Sequence, residues 1–184
     1  MLRLLSHDGT NRLTQTRVQS MIDAFREWIP APKPVIVAGN QRCFSAGADL
    51  REIAALTAVA AYDFSSKGQY LMHTIQCFPA PVYAAISGYC MGGGLDLALA
   101  CHRRIAAPNA VFGHRGAALG LITGWGGTQR LPRLIGRAQA LSMFVAAEKL
   151  HAAKALQLGL VDEVSDNPVA DAVLRIKAAA RVSW

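Results

Sequence analysis

Residues 88–101 read GYCMGGGLDLALAC, three consecutive glycines followed at once by an apolar segment typical of a buried helix. The N–H groups of the first helical turn have no partner within the helix and lie at the positive end of its dipole. Glycine lets a carbonyl oxygen come close to these donors. The stretch therefore predicts either a loop-to-helix junction that binds a polarised oxygen or a set of glycines that only permit close helix packing.

A second junction of this kind is SAGADL at Ser45–Leu50. Two N–H donors from separate junctions can form an oxyanion hole, which stabilises the negative charge that develops on a carbonyl oxygen during a reaction. The glycines fit nucleotide binding poorly, because the chain has no GxxxxGK(S/T) motif and neither Gly92 nor Gly124 starts a complete GxGxxG. We therefore expect no nicotinamide or flavin cofactor.

A third glycine-rich stretch, FGHRGAALGLITGWGGTQ at 112–129, contains His114, Arg115 and Trp125 but no aspartate or glutamate. A backbone this permissive typically lies against a ligand or another chain. A site that uses this stretch as a wall must therefore take any carboxylate from elsewhere in the chain.

Around these stretches, buried strands, glycine-rich loops and helices alternate, which predicts an α/β fold. Thr14 is a candidate N-cap for the first helix, and prolines end the first two helices. The polar segment NQRCFSAGAD is expected to be a loop. The predicted strands are PVIVAG, VYAAI, RRIAA, AVFG and LVDEV, and the predicted helices cover 14–28, 58–77, 94–101, 127–135, 137–148, 151–158 and the segment from Pro168.

The composition is that of one globular domain, with 184 residues of which 52% are apolar and 17% charged. The formal net charge is +7, but Lys and Arg are scattered and form no continuous basic block. This distribution fits a small phosphorylated ligand as well as a nucleic acid. Because no basic motif is flanked by aromatic residues, a primary nucleic-acid role is disfavoured.

The four cysteines, at positions 43, 77, 90 and 101, form no CxxC pair and no regular Cys/His spacing. We therefore expect buried, reduced thiols and no metal site. The opening MLRLLSHDGT lacks the apolar stretch of a signal peptide, and no apolar run reaches the ~20 residues that a bilayer-spanning helix needs. We expect a cytoplasmic protein without a membrane span.

Four segments in collinear order resemble the enoyl-CoA hydratase/isomerase family, also called crotonases. They are FSAGADLREI at Phe44–Ile53, ISGYCMGGGLDLALAC at Ile86–Cys101, LGLITGWGGTQRLPRLIGRAQA at Leu119–Ala140, and the following AAKALQLGLVDEV. The resemblance implies an α/β fold, a crotonase-like spiral of ββα units, that assembles as trimers or paired trimers. It also implies an acyl-CoA thioester as substrate, so that coenzyme A enters as part of the substrate and no separate cofactor is needed.

The resemblance runs from the helix after Asn11 to Val164, and we expect the chain to be a single crotonase-like domain, 1–184. Residues 164–184 would begin the C-terminal helical segment that members of the family use for trimer contacts, and this segment is short or incomplete here. Uncovered apolar faces would then need a partner chain, so we expect a homotrimer or hexamer.

The resemblance also assigns the reacting groups. The two oxyanion donors fall on the N–H groups of Ala48 and Gly93, at the two junctions selected above. Hydratases of the family hold one water between two carboxylates; the first position matches Asp96, where glutamate is usual, and the second matches Gly116, which has no side chain. Asp96 otherwise only complements the helix dipole. If Gly116 explains weak hydration, Gly116→Glu should restore a second carboxylate, unless a positive φ resists the change.

The remaining candidates are less specific. His114 is a general acid or base, or a lining residue. Arg115 would pair with a carboxylate or lie in solvent. Arg51 would bind a CoA phosphate or lie in solvent. Trp125 would shape the acyl pocket. The predicted substrate-binding set is Ala46, Asp49, Arg51, Gly92, Gly116, Gly124 and Trp125.

A single base suits isomerisation better than hydration, because isomerisation only moves a proton between two carbons of an enolate. We therefore expect an enoyl-CoA isomerase or weak hydratase. The alternative is a catalytically degenerate paralogue that binds acyl-CoA. RNA binding, known in one branch of the family, is disfavoured because the chain has no lysine-rich helix.

Overall fold

The computed structural model describes residues 1–182, which form a five-stranded sheet, a four-stranded sheet and the helices that connect their strands. The strands are β1 (Leu2–Arg3), β2 (Val35–Ala38), β3 (Cys43–Ser45), β4 (Val82–Ile86), β5 (Tyr89–Met91), β6 (Arg103–Ala106), β7 (Val111–Gly113), β8 (Lys149–His151) and β9 (Glu163–Val164). The helices are α1 (Gln15–Trp28), α2 (Leu50–Ala54), α3 (Ala58–Gln76), α4 (Gly93–Ala100), α5 (Gly127–Ile135), α6 (Arg137–Val145), α7 (Ala152–Gln157) and α8 (Pro168–Val182).

From β2 to β7 the strands alternate between two sheets along the chain. One sheet has the order β1-β2-β4-β6-β9 with every pair parallel, and the other has the order β3-β5-β7-β8 with only the last pair antiparallel. Consecutive strands such as β4 and β5 lie in different sheets, and a helix follows each pair. This is the spiral of ββα units, so the predicted fold is confirmed.

The helices that the sequence predicted are present with small changes at their ends. Thr14 caps α1, where its Oγ1 accepts a hydrogen bond from the Arg17 N–H at 3.2 Å. The predicted helix at 137–148 stops at Val145, because Ala147 has a φ of 53° and cannot continue a right-handed helix. Strands β2 and β4 are buried throughout, which explains why both are continuous apolar runs.

The prediction that NQRCFSAGAD is a loop was wrong over Cys43–Ser45, which forms β3. Strands β5 and β8 and helix α2 were also missed. Each of these strands has three residues and is defined by its neighbour in the sheet. A segment this short carries no periodicity of its own from which to predict it.

The C-terminal helix α8 covers the parallel sheet. Ala172 is completely buried against a small cluster that includes Ile36, Tyr83 and Ile105 from β2, β4 and β6. A role of this segment in trimer contacts stays a prediction, and its last two residues, 183 and 184, lie outside the described residues.

Three of the four cysteines are buried and reduced as predicted, at positions 43, 90 and 101, whereas Cys77 is exposed. Burial raises the pKa of all three buried thiols. Among residues 1–182, no helix is long and apolar enough to cross a membrane. In the same range, no three His, Cys, Asp or Glu side chains are grouped closely enough to hold a metal ion.

Candidate active site

A cavity of about 1380 Å³ lies where the three glycine-rich stretches of the sequence meet. Its wall contains both loop-to-helix junctions and most of the 112–125 segment. The residues of the predicted site that line it are Ala46, Ala48, Gly92, Gly93, Asp96, His114, Gly116 and Trp125. Stretches far apart in the sequence are therefore brought to a single site.

The two junctions are in direct contact. A Cβ added to Gly47 would lie 2.8 Å from the Gly93 nitrogen, and one added to Gly93 would lie 3.4 Å from the Ala48 nitrogen. Gly47 and Gly92 have φ values of 90° and 51°, which favour glycine and let each loop turn into its helix. In the described part of the chain, neither the Ala48 nor the Gly93 N–H donates a hydrogen bond within the protein. Two donors without partners thus lie side by side on the cavity wall.

Asp96 lies in the first turn of α4, where its N–H donates to the Gly92 carbonyl at 3.0 Å. Its side chain lines the cavity although only 1% of the residue is exposed. The Thr123 hydroxyl donates a hydrogen bond to Oδ2. Burial raises the pKa of Asp96 to about 7, although Thr123 and the positive charge of Arg130 act in the opposite direction. A carboxyl group with a pKa near neutrality can act as either acid or base.

His114 follows β7 and faces Asp96 across the site. Its Nε2 lies 3.4 Å from Asp96 Oδ1, and its ring packs against Phe144 of α6 at a centroid distance of 5.0 Å. Burial lowers the pKa of His114 to about 4, so the imidazole is neutral at pH 7. Within residues 1–182, both Nε2 and Oδ1 are buried and lack a well-formed hydrogen bond. The pair can therefore hold one proton in common or bind a polar atom that reaches both.

The enoyl-CoA hydratase/isomerase family model matches residues 2–182. The chain belongs to the enoyl-CoA hydratase/isomerase family. Solved structures agree with this assignment. DspI of Pseudomonas aeruginosa is 33% identical with a TM-score of 0.91, over 95% of this chain and 74% of DspI. An enoyl-CoA hydratase of Bacillus anthracis is 32% identical with a TM-score of 0.91, over 97% of this chain and 71% of that enzyme. An enoyl-CoA hydratase of Thermoplasma volcanium is 34% identical with a TM-score of 0.90, over 97% of this chain and 72% of that enzyme.

Three of the predicted substrate-binding residues lie away from the cavity of this hydratase/isomerase family member. Asp49 caps α2 through a 2.9 Å hydrogen bond from the Arg51 N–H and also pairs with Arg12 and Arg51. The Arg51 side chain is 83% exposed. The Gly124 carbonyl accepts a hydrogen bond from Gln69 Nε2 at 2.8 Å. Asp49 and Gly124 therefore form hydrogen bonds within the protein. Arg51 pairs with Asp49, but most of its side chain is exposed to solvent.

Trp125 forms an inner wall of the cavity. Its indole contacts Phe64 at a centroid distance of 5.2 Å and packs directly on Gly68 of α3 and Gly93 of α4. A side chain at Gly68 would overlap the indole, which explains a glycine in the middle of α3. The predicted role of Trp125 in shaping the acyl pocket fits this position.

The sequence reasoning missed Thr123 and Phe144. Thr123 holds Asp96, and Phe144 holds the ring of His114. A signal for Thr123 was present, because it is a hydroxyl residue within the glycine-rich stretch. Phe144 had none, since the sequence predicts a helix over 137–148 but marks no residue in it as part of a site.

Gly116, which the sequence resemblance matches to the second carboxylate of family hydratases, lines the cavity. Its φ of −57° and ψ of −43° are right-handed, so backbone conformation does not exclude a side chain. A Cβ would nevertheless lie 2.5 Å from the Leu121 carbonyl oxygen, which belongs to the backbone and cannot rotate away.

This contact changes what we expect of Gly116→Glu. The variant should be destabilised by about 1–3 kcal/mol because the 116–121 turn must open to admit the side chain. Thermal unfolding of Gly116→Glu and Gly116→Ala measures this effect, and the two should lose similar stability because they share the Cβ. Parental stability in both, with new hydratase activity in Gly116→Glu, would contradict this expectation.

The Asp96–His114 pair also predicts how stability depends on pH. Between about pH 4 and 6.5, native Asp96 is protonated and native His114 neutral, whereas the unfolded chain carries its proton on histidine. In the parent protein the native and unfolded states therefore each bind one proton at this pair, so the pair makes stability independent of pH in this range. In Asp96→Asn the unfolded state binds the extra proton, so stability should rise with pH by about 1.4 kcal/mol per unit. In His114→Gln the native state binds the extra proton, on Asp96, so stability should fall with pH by the same amount per unit.

Urea unfolding at several pH values between 4 and 6.5 measures both slopes. The parent protein and an exposed variant, Asp166→Asn, provide the reference. Flat profiles in both variants would contradict this expectation, because they would mean that native His114 stays protonated and native Asp96 stays ionised in this pH range.

Proposed function

We propose that the protein converts an acyl-CoA thioester through an enolate, by moving a proton between carbon atoms of the acyl group. The observation that carries the proposal is that two N–H groups without partners and a buried carboxyl of raised pKa meet at one cavity. The N–H groups of Ala48 and Gly93 would bind the thioester oxygen and stabilise the enolate charge. Family membership supports acyl-CoA as the substrate class.

Asp96 is the proposed acid and base. In its carboxylate form it takes the α-proton of a 3-enoyl thioester, the electron pair moves onto the thioester oxygen, and the resulting acid returns the proton to the γ-carbon. The product is the conjugated 2-enoyl thioester. The Nε2 of neutral His114 lies 3.4 Å from Asp96 Oδ1 and can accept or return the proton during this transfer.

Hydration is the weaker activity in this proposal. A second carboxylate would be needed to orient the attacking water, and Gly116 supplies none. His114 Nε2 is the nearest replacement, but it lies only 3.4 Å from Asp96 Oδ1 and leaves no space for a water directly between them.

The alternative is a family member that binds acyl-CoA without turnover. The burial of Asp96 and His114 favours this alternative, because a proton must reach groups of which 1% and 4% are exposed. Activity separates the two functions, whereas binding is common to both.

The test uses 3-butenoyl-CoA, crotonyl-CoA and butanoyl-CoA with the purified protein. Isomerisation raises the absorbance of the conjugated thioester from 3-butenoyl-CoA, and hydration lowers it from crotonyl-CoA. Exchange of the α-protons of butanoyl-CoA in D₂O reports enolate formation alone. We expect isomerisation to exceed hydration, with exchange detectable. Calorimetric binding of butanoyl-CoA without exchange would support the alternative, and no binding would contradict both.

The assembly proposed for the protein is a homotrimer or a pair of trimers, with coenzyme A entering only as part of the substrate. Exposed apolar side chains at Leu141 and Val145 on α6 and Leu174 on α8 support association. The cytoplasmic location stays a prediction.

A further inference from the structure

Two polar residues near the first loop-to-helix junction are completely buried. Asn11 and Ser45, which we call the Asn11–Ser45 brace, both have 0% exposure. Asn11 has a φ of 52°, a left-handed conformation that a residue other than glycine adopts at an energetic cost. Buried polar side chains in a strained backbone need a specific set of hydrogen bonds.

The brace makes those bonds to the loop that carries Ala48. Ser45 Oγ donates to the Asn11 carbonyl at 2.8 Å and accepts from the Gly47 N–H at 3.1 Å. Asn11 Nδ2 donates to the Cys43 carbonyl at 2.8 Å. The Gly47 carbonyl accepts from the N–H of Leu13, two residues after Asn11, at 2.8 Å. The Gly47 N–H is thus held by Ser45, which is itself bonded to Asn11, and the Gly47 carbonyl is held by Leu13.

Ser45 also contacts the second junction. A Cβ on Gly94 would lie 2.6 Å from the Ser45 carbonyl oxygen and 2.7 Å from its Cβ. The helix that carries the Gly93 N–H therefore packs directly on the residue that holds the Gly47 N–H. One side chain, Ser45, touches the supports of both donors.

We propose that Asn11 and Ser45 are positioning residues that fix the Ala48 N–H relative to the Gly93 N–H. The inference rests on the proposed function, because it assumes that these two donors bind the thioester oxygen. Neither residue lines the cavity, so neither contacts the substrate. Loss of the Ser45 hydroxyl frees the Gly47 N–H and lets the loop rotate, and a displacement of about 1 Å at a reacting centre can lower a rate on the order of 10²-fold.

The test compares Ser45→Ala with the parent protein in two measurements. The first is isomerisation of 3-butenoyl-CoA, in which kcat should fall about 10- to 100-fold with little change in KM, because the donors act mainly on the developing charge. The second is the absorption of a bound 2,4-dienoyl-CoA, whose band moves to longer wavelength when its carbonyl is polarised. This shift should be smaller in Ser45→Ala.

Ser165→Ala is the matched control. Ser165 Oγ accepts from the N–H two residues later, that of Asn167, at 3.0 Å, which is the same local arrangement far from the cavity. Its kinetics and band shift should equal those of the parent. Asn11→Gly is the second test variant, since glycine keeps the left-handed conformation and removes the whole side chain, including the amide group that bonds to the Cys43 carbonyl. It should reproduce the Ser45→Ala effects even if Ser45→Ala does not fold.

The outcomes separate the inference from the proposed function. A parent protein that shifts the dienoyl band, with the same shift and kcat in every one of the two variants that folds, would overturn the positioning role alone. A parent protein that binds the dienoyl thioester without any shift would overturn the oxyanion hole and the positioning role together. A reduced shift and kcat at unchanged KM in either variant supports the inference.

Discussion

Asp96→Asn should lower the isomerisation rate about 10²- to 10⁴-fold, the usual contribution of a general acid or base. The amide has the shape of the carboxyl group but cannot take the α-proton of the substrate. Thr123 can still donate a hydrogen bond to the amide oxygen, so the packing of α4 should survive. Steady-state kinetics with 3-butenoyl-CoA measures the loss.

The parent enzyme should also show the titration of this residue. Because the pKa of Asp96 is raised to about 7, the carboxylate fraction and kcat/KM should increase tenfold per unit below pH 7 and level off above it. Asp166→Asn makes the same chemical change at an exposed position and should behave as the parent. Full activity in folded Asp96→Asn would assign the proton transfer to another group, and His114 would be the next candidate to test.

Gly93→Pro should reduce kcat/KM about 10²- to 10³-fold, because proline removes one of the two proposed oxyanion donors. Gly93 is the first residue of α4, a position where proline is compatible with a helix. The bound dienoyl thioester should lose most of its band shift in the same variant.

The control for this substitution is Gly93→Ala. Any Cβ at this position would lie 2.6 Å from the Trp125 ring, so alanine and proline displace the indole alike, but alanine keeps the N–H. Alanine should therefore retain far more activity than proline. Equal losses in the two variants would assign the effect to Trp125 and remove Gly93 from the oxyanion hole.

The sequence predicted most of the helices and the longer strands of the five-stranded sheet well, because their signals are local. Thr14 marks the start of α1, and the continuous apolar run of β4 is typical of a strand buried on both faces. Both junctions could also be recognised, since unpaired N–H groups follow from helix geometry alone.

The contacts within the site could not be predicted in this way. Asp96 and His114 meet because β5 and β7 pair in a parallel register that sets Met91 opposite Gly113, directly before the two functional segments. No local pattern contains that register. The steric limit at Gly116 likewise depends on the path of the chain at Leu121, which only the folded loop defines.

The order of strands in the larger sheet bears on how the protein is made. Each of β2, β4, β6 and β9 pairs in parallel with the strand that precedes it in this sheet, as Val35 does with Val82 in the next unit. A nascent chain leaving the ribosome can therefore lay each new unit on the edge left by the one before, without waiting for its C-terminus. Because every parallel pairing spans at least one helix, refolding of the complete chain should be slow compared with that of a helical bundle of equal length. Synthesis on the ribosome thus presents the ββα units one after another from the N-terminus, whereas dilution from denaturant presents all of them at once.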